Sequence, residues 1–448
     1  MDFSTFKAYV VAKASAMGIG EYELYYQASQ STSVSAYLHE MNEFTSAKEG
    51  GVCFRCIVDG RMGYASTQEL SEASAAAIVE RAADNASVLE AEEPVFLGEG
   101  GKTYAALDIQ PYDLPATEAL IAKVLDAQEK LYAADPAVID GSATNGISES
   151  SEIAIFNSKG LDLHYRNNAA GLVSMAVVTD GKEMANDYQI KLGALDTLDV
   201  DALTGKAAAS AKAKLGGDVA PTGVYPVVFD PDAMSSLLST FSSIFSSEKA
   251  QKGLSQLAGK EGSEVASPVV TLVDDPFHKE NPMPINFDAE GSPTACKNVI
   301  EKGELKTLLY NLKTAAVAGR ETTGNASKAG YDAPVEIRPF TMYIAPGQMT
   351  EEELLRKAGN GVYINSLGGL HAGANQISGD FSLQSAGFMI ENGVKTTPVK
   401  SFTVAGNFYS LLKQITAVAD NVELPSAMGM TAFGSPSVLV EGLSVAGK

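Results

Sequence analysis

GSATNGISESSEIAIFNSKGLDLHYRNN (residues 141–168), with GLVSMAVVTDGKE (171–183) just after it, decides the fold class. Polar and apolar residues alternate through both runs, and Asn145-Gly146 and Lys159-Gly160 are turn signals, so several antiparallel strands are expected over 139–180. Upstream, 3–16 has the pattern of a helix, and 21–30 and 31–38 alternate like two paired strands. Residues 43–67, EFTSAKEGGVCFRCIVDGRMGYAST, predict a hairpin turning at Asp59-Gly60. Residues 67–86, rich in alanine, and 117–134, strongly amphipathic, predict helices, while the acidic stretch 91–112 has no period and is expected to be a surface loop. Helices mixed with antiparallel strands, without regular strand-helix alternation, indicate an α+β fold and argue against a doubly wound nucleotide-binding sheet.

After a predicted helix at 200–215, the Gly/Pro-rich break GGDVAPTG (216–223) divides the chain into an N-terminal α+β domain, 1–217, and a C-terminal domain, 223–448. The second half is short apolar runs punctuated by Gly, Pro and Asn, which predicts a β-rich domain with few helices. One of those helices is TEEELLRKA (350–358), with Thr350 as cap and Glu353 completing a capping box.

The chain of 448 residues carries 33 Lys plus Arg against 55 Asp plus Glu, a net charge of -22, which disfavours nucleic acid and anionic membrane as partners. No apolar stretch reaches the length of a membrane span and the first residues lack a secretory pattern, so a cytoplasmic protein is expected. Cys53 and Cys56 are three apart on a predicted strand and therefore point to opposite faces, which opposes a shared metal or a bridge between them.

Two stretches carry candidate binding chemistry. In 232–262, Met234, Leu237, Leu238, Phe241, Ile244 and Phe245 recur at helical spacing, following a strand whose end supplies Asp230 or Asp232 as cap. The opposite face holds serines, including Ser235, Ser239, Ser242, Ser243 and Ser246, where a solvated helix would carry Glu and Lys. Such a smooth hydroxyl face suits a partner subunit or an extended peptide, and equally suits tight packing within the fold. In 361–393, His371 lies among glycines and is followed by Asn375, Ser378 and Asp380, a set that could contact a peptide or simply form an Asx turn. Asp274, Asp275, His278, Glu280 and Asp288 match no regular metal motif, and a solvated acidic loop is the expectation there. No GxSxG, P-loop or HExxH is present.

FSSIFSSEKAQKGLSQLAGKEG (241–262), TLVDDP (271–276), TTGNASKAGYDAP (322–334), MYIAPG (342–347), LGGLHAGANQISGDFSLQSAGFMIENG (367–393) and PSVLVEGLSVAG (436–447) together resemble the TldD/PmbA family, in its PmbA or TldE branch. That family is known as a modulator of DNA gyrase and as a peptide-maturation system, in which a TldD subunit with an HExxxH zinc motif pairs with a TldE subunit. Registered on Lys252-Gly253 and on Gly259 to Gly262, the TldD histidines would fall near Leu238 or Ser239 and near Ser243, and no cysteine follows Cys296. The resemblance therefore implies a chain with no catalytic or metal residues of its own and no bound cofactor, zinc being held by a TldD-like partner. Its other expected partners are unfolded peptide and, for the isolated chain, a second copy. Ser239, Ser242, Ser243, Ser246, His371, Asn375, Ser378 and Asp380 are the candidates for partner or peptide contact. Two alternatives stay open at this point: an autonomous peptidase with another metal or serine centre, and a homo-oligomeric peptide-binding protein.

Overall fold

The computed structural model describes residues 1–89, 94–107, 113–281, 283–424 and 431–448. The predicted acidic loop at 91–112 lies partly outside them. The first half is α1 (Phe3–Ala16), β1 (Glu21–Tyr37), β2 (Glu40–Val58), β3 (Arg61–Thr67), α2 (Glu72–Val88), α3 (Thr117–Ala134), β4 (Ala143–Asn157), β5 (Asp162–Thr179), β6 (Met184–Leu192) and α4 (Val200–Lys212). Its six strands form one antiparallel sheet in the order β3-β2-β1-β4-β5-β6.

Two local readings change. Residues 21–37 form one strand, since the SQSTS run between the two expected strands contains no Gly or Pro to break it. Against β2 the register of this strand shifts only at Ser35/Ala36. Asn145-Gly146 is no turn but lies inside β4, near its start, and Gly146 is there for packing: a Cβ would sit 2.3 Å from Val124 Cγ2 and 2.9 Å from Leu120 Cδ1 on α3. Asp59-Gly60 and Lys159-Gly160 do turn the chain.

One face of this sheet is covered by helices. Leu24, Val52, Phe54 and Cys56 pack against Phe6 and Val10 of α1 and Ile78 and Val79 of α2, while Val34 and Leu172 pack against α3. The other face meets the second half: Tyr25, Ile153, Ile155 and Tyr165 form one apolar cluster with Ile285, Phe287 and Phe340. Cys53 opposes Tyr25 in the β1–β2 ladder, so Cys53 and Cys56 do face opposite ways, and both are free. Beside that cluster Arg55 Nε donates to Glu23 Oε1 at 2.8 Å, both groups being buried.

The second half adds β7 (Asp218–Val219), β8 (Gly223–Phe229), α5 (Pro231–Phe241), α6 (Ser247–Gln251), β9 (Leu272–Asp274), β10 (Lys297–Glu301), β11 (Glu304–Leu305), α7 (Leu312–Val317), β12 (Ala326–Ser327) and β13 (Glu336–Ile337). It continues with β14 (Thr341–Ile344), α8 (Glu351–Ala358), β15 (Gly361–Gly368), α9 (Leu370–Gly373), β16 (Asp380–Glu391), β17 (Val394–Asn407), α10 (Phe408–Gln414), β18 (Ile415–Val418), β19 (Ala432–Gly434) and β20 (Val438–Ala446). Its main sheet runs β18-β20-β8-β15-β16-β17-β7, and a further β20–β17 pairing closes five of these strands into a ring. Beside it stand a five-stranded sheet, β11-β10-β9-β14-β19, and the small β12-β13 pair. The fold is α+β, as the antiparallel runs imply, and the helices of the second half are short. The expected capping box of α8 is present, Thr350 Oγ1 accepting from Glu353 N. No helix among the described residues is long and apolar enough to cross a membrane.

A candidate peptide groove

Asp230 is the cap of α5: its Oδ1 accepts from Ala233 N at 2.8 Å, and Pro231 takes the first helical position, where a missing N–H costs nothing. Burial pushes the Asp230 carboxyl up to about 8, against the pull of that hydrogen bond. Met234, Leu237, Leu238, Phe241, Ile244 and Phe245 are all buried, as their spacing required, and Phe241 stacks on Phe408 with ring centroids 4.7 Å apart.

The serine face departs from a simple helix. After Phe241 the α-helix gives way to a 3₁₀ turn at Ser242–Phe245 and restarts as α6. Hydroxyls that compete for backbone acceptors account for the break: Thr240 Oγ1 donates to Ser236 O and Ser242 Oγ to Ser239 O. Ser239 is exposed, Ser242 and Ser243 are half-buried, and Ser246 is only 5% exposed, so Ser246 is not part of an open face. Ser235 is also buried, at 2%.

The loop over 370–382 folds back on this stretch. Gly369, at φ 75°, starts the short α9, which places His371 at the surface. Asn375 Oδ1 accepts from the amides of Ile377 and Ser378, an Asx turn, and Asn375 N donates to Asp380 O. Asn407 Nδ2 donates to Asp380 Oδ1 at 2.9 Å and holds that carboxyl below its ordinary range. Ser378 stabilises the turn, its carbonyl accepting from Gln256 Nε2 and Asn407 Nδ2.

Two cavities result, side by side, sharing Ser243, Lys249 and Leu370. The first, of about 870 Å³, is lined by His371, Asn375, Gln376, Ile377 and Asp380 among others. The second, of about 750 Å³, is lined by Ser235, Ser239, Ser242, Ser243 and Ser246, by Tyr188 of β6, and by Glu336, Arg338 and Phe433. Ser243 Oγ donates to Gln376 Oε1 at 3.1 Å where the two meet. Two stretches more than a hundred residues apart thus become the walls of one groove, and every sequence candidate except Ser378 lines it. Lys249, Arg338 and Tyr188 gave no sequence signal, because only the tertiary fold brings them to the serines. The groove's hydroxyls, amides and apolar side chains suit an extended peptide backbone.

The other three histidines and the acidic loop lie elsewhere. His39 contacts Glu129, His164 contacts Glu152, and His278 Nδ1 accepts from Glu280 N. In the acidic loop, Asp274 is buried, pairs with Lys297 at 3.1 Å and accepts from Asn325 Nδ2 and Phe340 N. Asp288 accepts from the amides of Glu290, Ser292 and Ala326. Asp274 and Asp288 are thus buried and stitch the loop together, Asp275 is half-buried, and Glu280 is exposed as expected.

Three family models match the chain in sequence order, described as PmbA/TldA metallopeptidase domain 1 (residues 22–86), central domain (110–215) and C-terminal domain (222–447). The chain belongs to the PmbA/TldD family. It is 32% identical to a putative modulator of DNA gyrase from Thermotoga maritima, with a TM-score of 0.90 over 99% of this chain and 100% of that one. TldE from Thermococcus kodakarensis is 26% identical, with a TM-score of 0.87 over 98% and 100% of the two chains. The Haemophilus influenzae protein named Metalloprotease PmbA homolog is 25% identical over 93% of this chain and 90% of its own length. Although the family is described by its metal, the groove offers hydroxyls, amides, Lys249, Arg338, one imidazole and the separate carboxylates of Asp380, Glu248 and Glu336. Among the described residues, no three His, Cys, Asp or Glu side chains gather closely enough to hold an ion. This donor set does not fit a catalytic zinc, which takes three protein ligands and a water.

Proposed function

We propose that this chain is the TldE/PmbA-like subunit of a TldD/TldE-type zinc peptidase system acting on unfolded or precursor peptides. It walls a passage for extended peptide, and a TldD-like cytoplasmic partner supplies the zinc and the cutting. In this reading 1–217 and 223–448 act as two units, the second carrying the groove. The observation that carries it is the groove itself, with the serine stretch and the 370–382 loop facing each other and without the ligand set of a hydrolytic metal centre. The likeness to a TldE structure over nearly the whole chain supports the same reading.

The test is to purify the chain alone and together with a co-expressed TldD-like protein, then measure zinc content and cleavage of an unstructured peptide. The chain alone is expected to hold well under one zinc per molecule and to leave the peptide intact, whereas the pair cleaves it. Stoichiometric zinc with chelator-sensitive cleavage by the lone chain would overturn the proposal in favour of an autonomous peptidase.

A further inference from the structure

The chain carries a net charge of -22, and each acid lining the groove has a partner of its own. Glu336 accepts from Arg338 Nε and Nη2 at 3.1 and 2.8 Å, Glu248 pairs with Lys252 at 2.6 Å, and Asp380 is engaged by Asn407. Lys249 lies on α6 at the junction of the two cavities and is exposed, and its ammonium has no ion-pair or hydrogen-bond partner among the described residues. Ser235, which also borders the second cavity, is 98% buried and its Oγ has no hydrogen-bond partner among the described residues. A buried hydroxyl left unmatched costs free energy unless something in the cavity completes it. The groove therefore combines one cation without a partner, a row of hydroxyls, two acids paired with cations, Glu336 and Glu248, and one, Asp380, held by the neutral amide of Asn407.

Resting on the proposed function, we infer that Lys249 anchors a carboxylate of the extended peptide, so that the groove selects peptides bearing an acidic residue or a free C-terminus at this point. An ammonium facing a carboxylate in a half-enclosed cleft forms a charge-assisted hydrogen bond. Elsewhere on a molecule of net charge -22 an acidic peptide is repelled, so the preference is local to this cleft. The backbone amides of the same peptide have the serine hydroxyls to bond with.

Four fluorescent unstructured peptides of one sequence distinguish the source of the carboxylate: central Glu with amidated end, central Gln with free end, both carboxylates, and neither. Anisotropy titrations on the full chain are expected to give binding about tenfold tighter for at least one single-carboxylate peptide than for the neutral one. Lys249→Met abolishes that preference and Lys249→Arg keeps it, while the preference in the native chain shrinks as salt rises. Whichever arm shows the gain names the side chain or the terminus as the anchor. Equal binding of all four peptides, or a preference that survives Lys249→Met, overturns the inference while leaving the groove intact as a peptide passage. Failure of every peptide to bind sinks both readings.

Discussion

Phe241→Ala and Ser239→Trp form a matched pair of perturbations, two residues apart on α5 and opposite in consequence. Phe241 is fully buried, stacked on Phe408 at 4.7 Å and tilted against Phe381 at 6.3 Å. Truncating it removes roughly 150 Å² of apolar surface, about 4 kcal/mol at about 25 cal/mol per Å², and the lost stacking adds up to about 1 kcal/mol. The expected loss is therefore about 4 to 5 kcal/mol, in line with other buried Phe→Ala changes. Ser239 is exposed in the groove, so a tryptophan there should change stability by no more than about 0.5 kcal/mol. It should obstruct the passage nonetheless. The protein has no tryptophan of its own, so the new indole also reports on peptide entry by its emission. Urea unfolding followed by circular dichroism reads the stability of both variants, and anisotropy reads peptide binding. If Ser239→Trp unfolds the protein as readily as Phe241→Ala, the serine stretch is internal packing and the groove is not a passage. If it binds peptide as the native chain does, the peptide lies elsewhere.

Arg55→Met leaves Glu23 buried without its cation and should cost about 3 to 5 kcal/mol in urea unfolding, whereas adding Glu23→Gln should restore part of the loss. A double variant no better than the single one would mean that Arg55 acts through its packing alone. Burial raises the Asp230 carboxyl to about 8, so its contribution to stability is fully present below about pH 4 and is lost as pH rises through about 8. Asn caps a helix as well as Asp does, so Asp230→Asn should unfold at nearly the native midpoint below about pH 4 and gain on the native protein progressively as pH rises from about 4 to about 8. Unfolding curves in which the native protein gains on the variant as pH rises would refute that sign.

Regular elements were legible where local chemistry alone decides them. α1 has the expected bounds and starts at its Asp2 cap, α3 has them from its amphipathic spacing without a side-chain cap, and Thr350 with Glu353 announces α8 from four residues. The misreadings arose where a distant partner overrides the local signal. Asn145-Gly146 looks like a hairpin turn until α3 is laid against it, for then the glycine is what lets Val124 and Leu120 approach β4. The serine run looks like one helix because apolar spacing continues past Phe241, yet the hydroxyls divert the backbone into a 3₁₀ turn. The candidate serines and the 370–382 loop were each visible in the sequence, but nothing local says that Ser243 meets Gln376. Lys249, one more surface lysine by its neighbours in sequence, takes its meaning only from the cavities on either side of it.

The ring of strands in the second half has a bearing on how the molecule is made. β8 lies between β15 and β20, and β20 pairs with it from roughly two hundred residues further along the chain while also sealing against β17. During synthesis β8 and the apolar side of α5 must wait, uncovered, until that late strand emerges from the ribosome. The half that carries the groove is therefore the slow and aggregation-exposed one, while the first six-stranded sheet, with its neighbouring hairpins, can settle early.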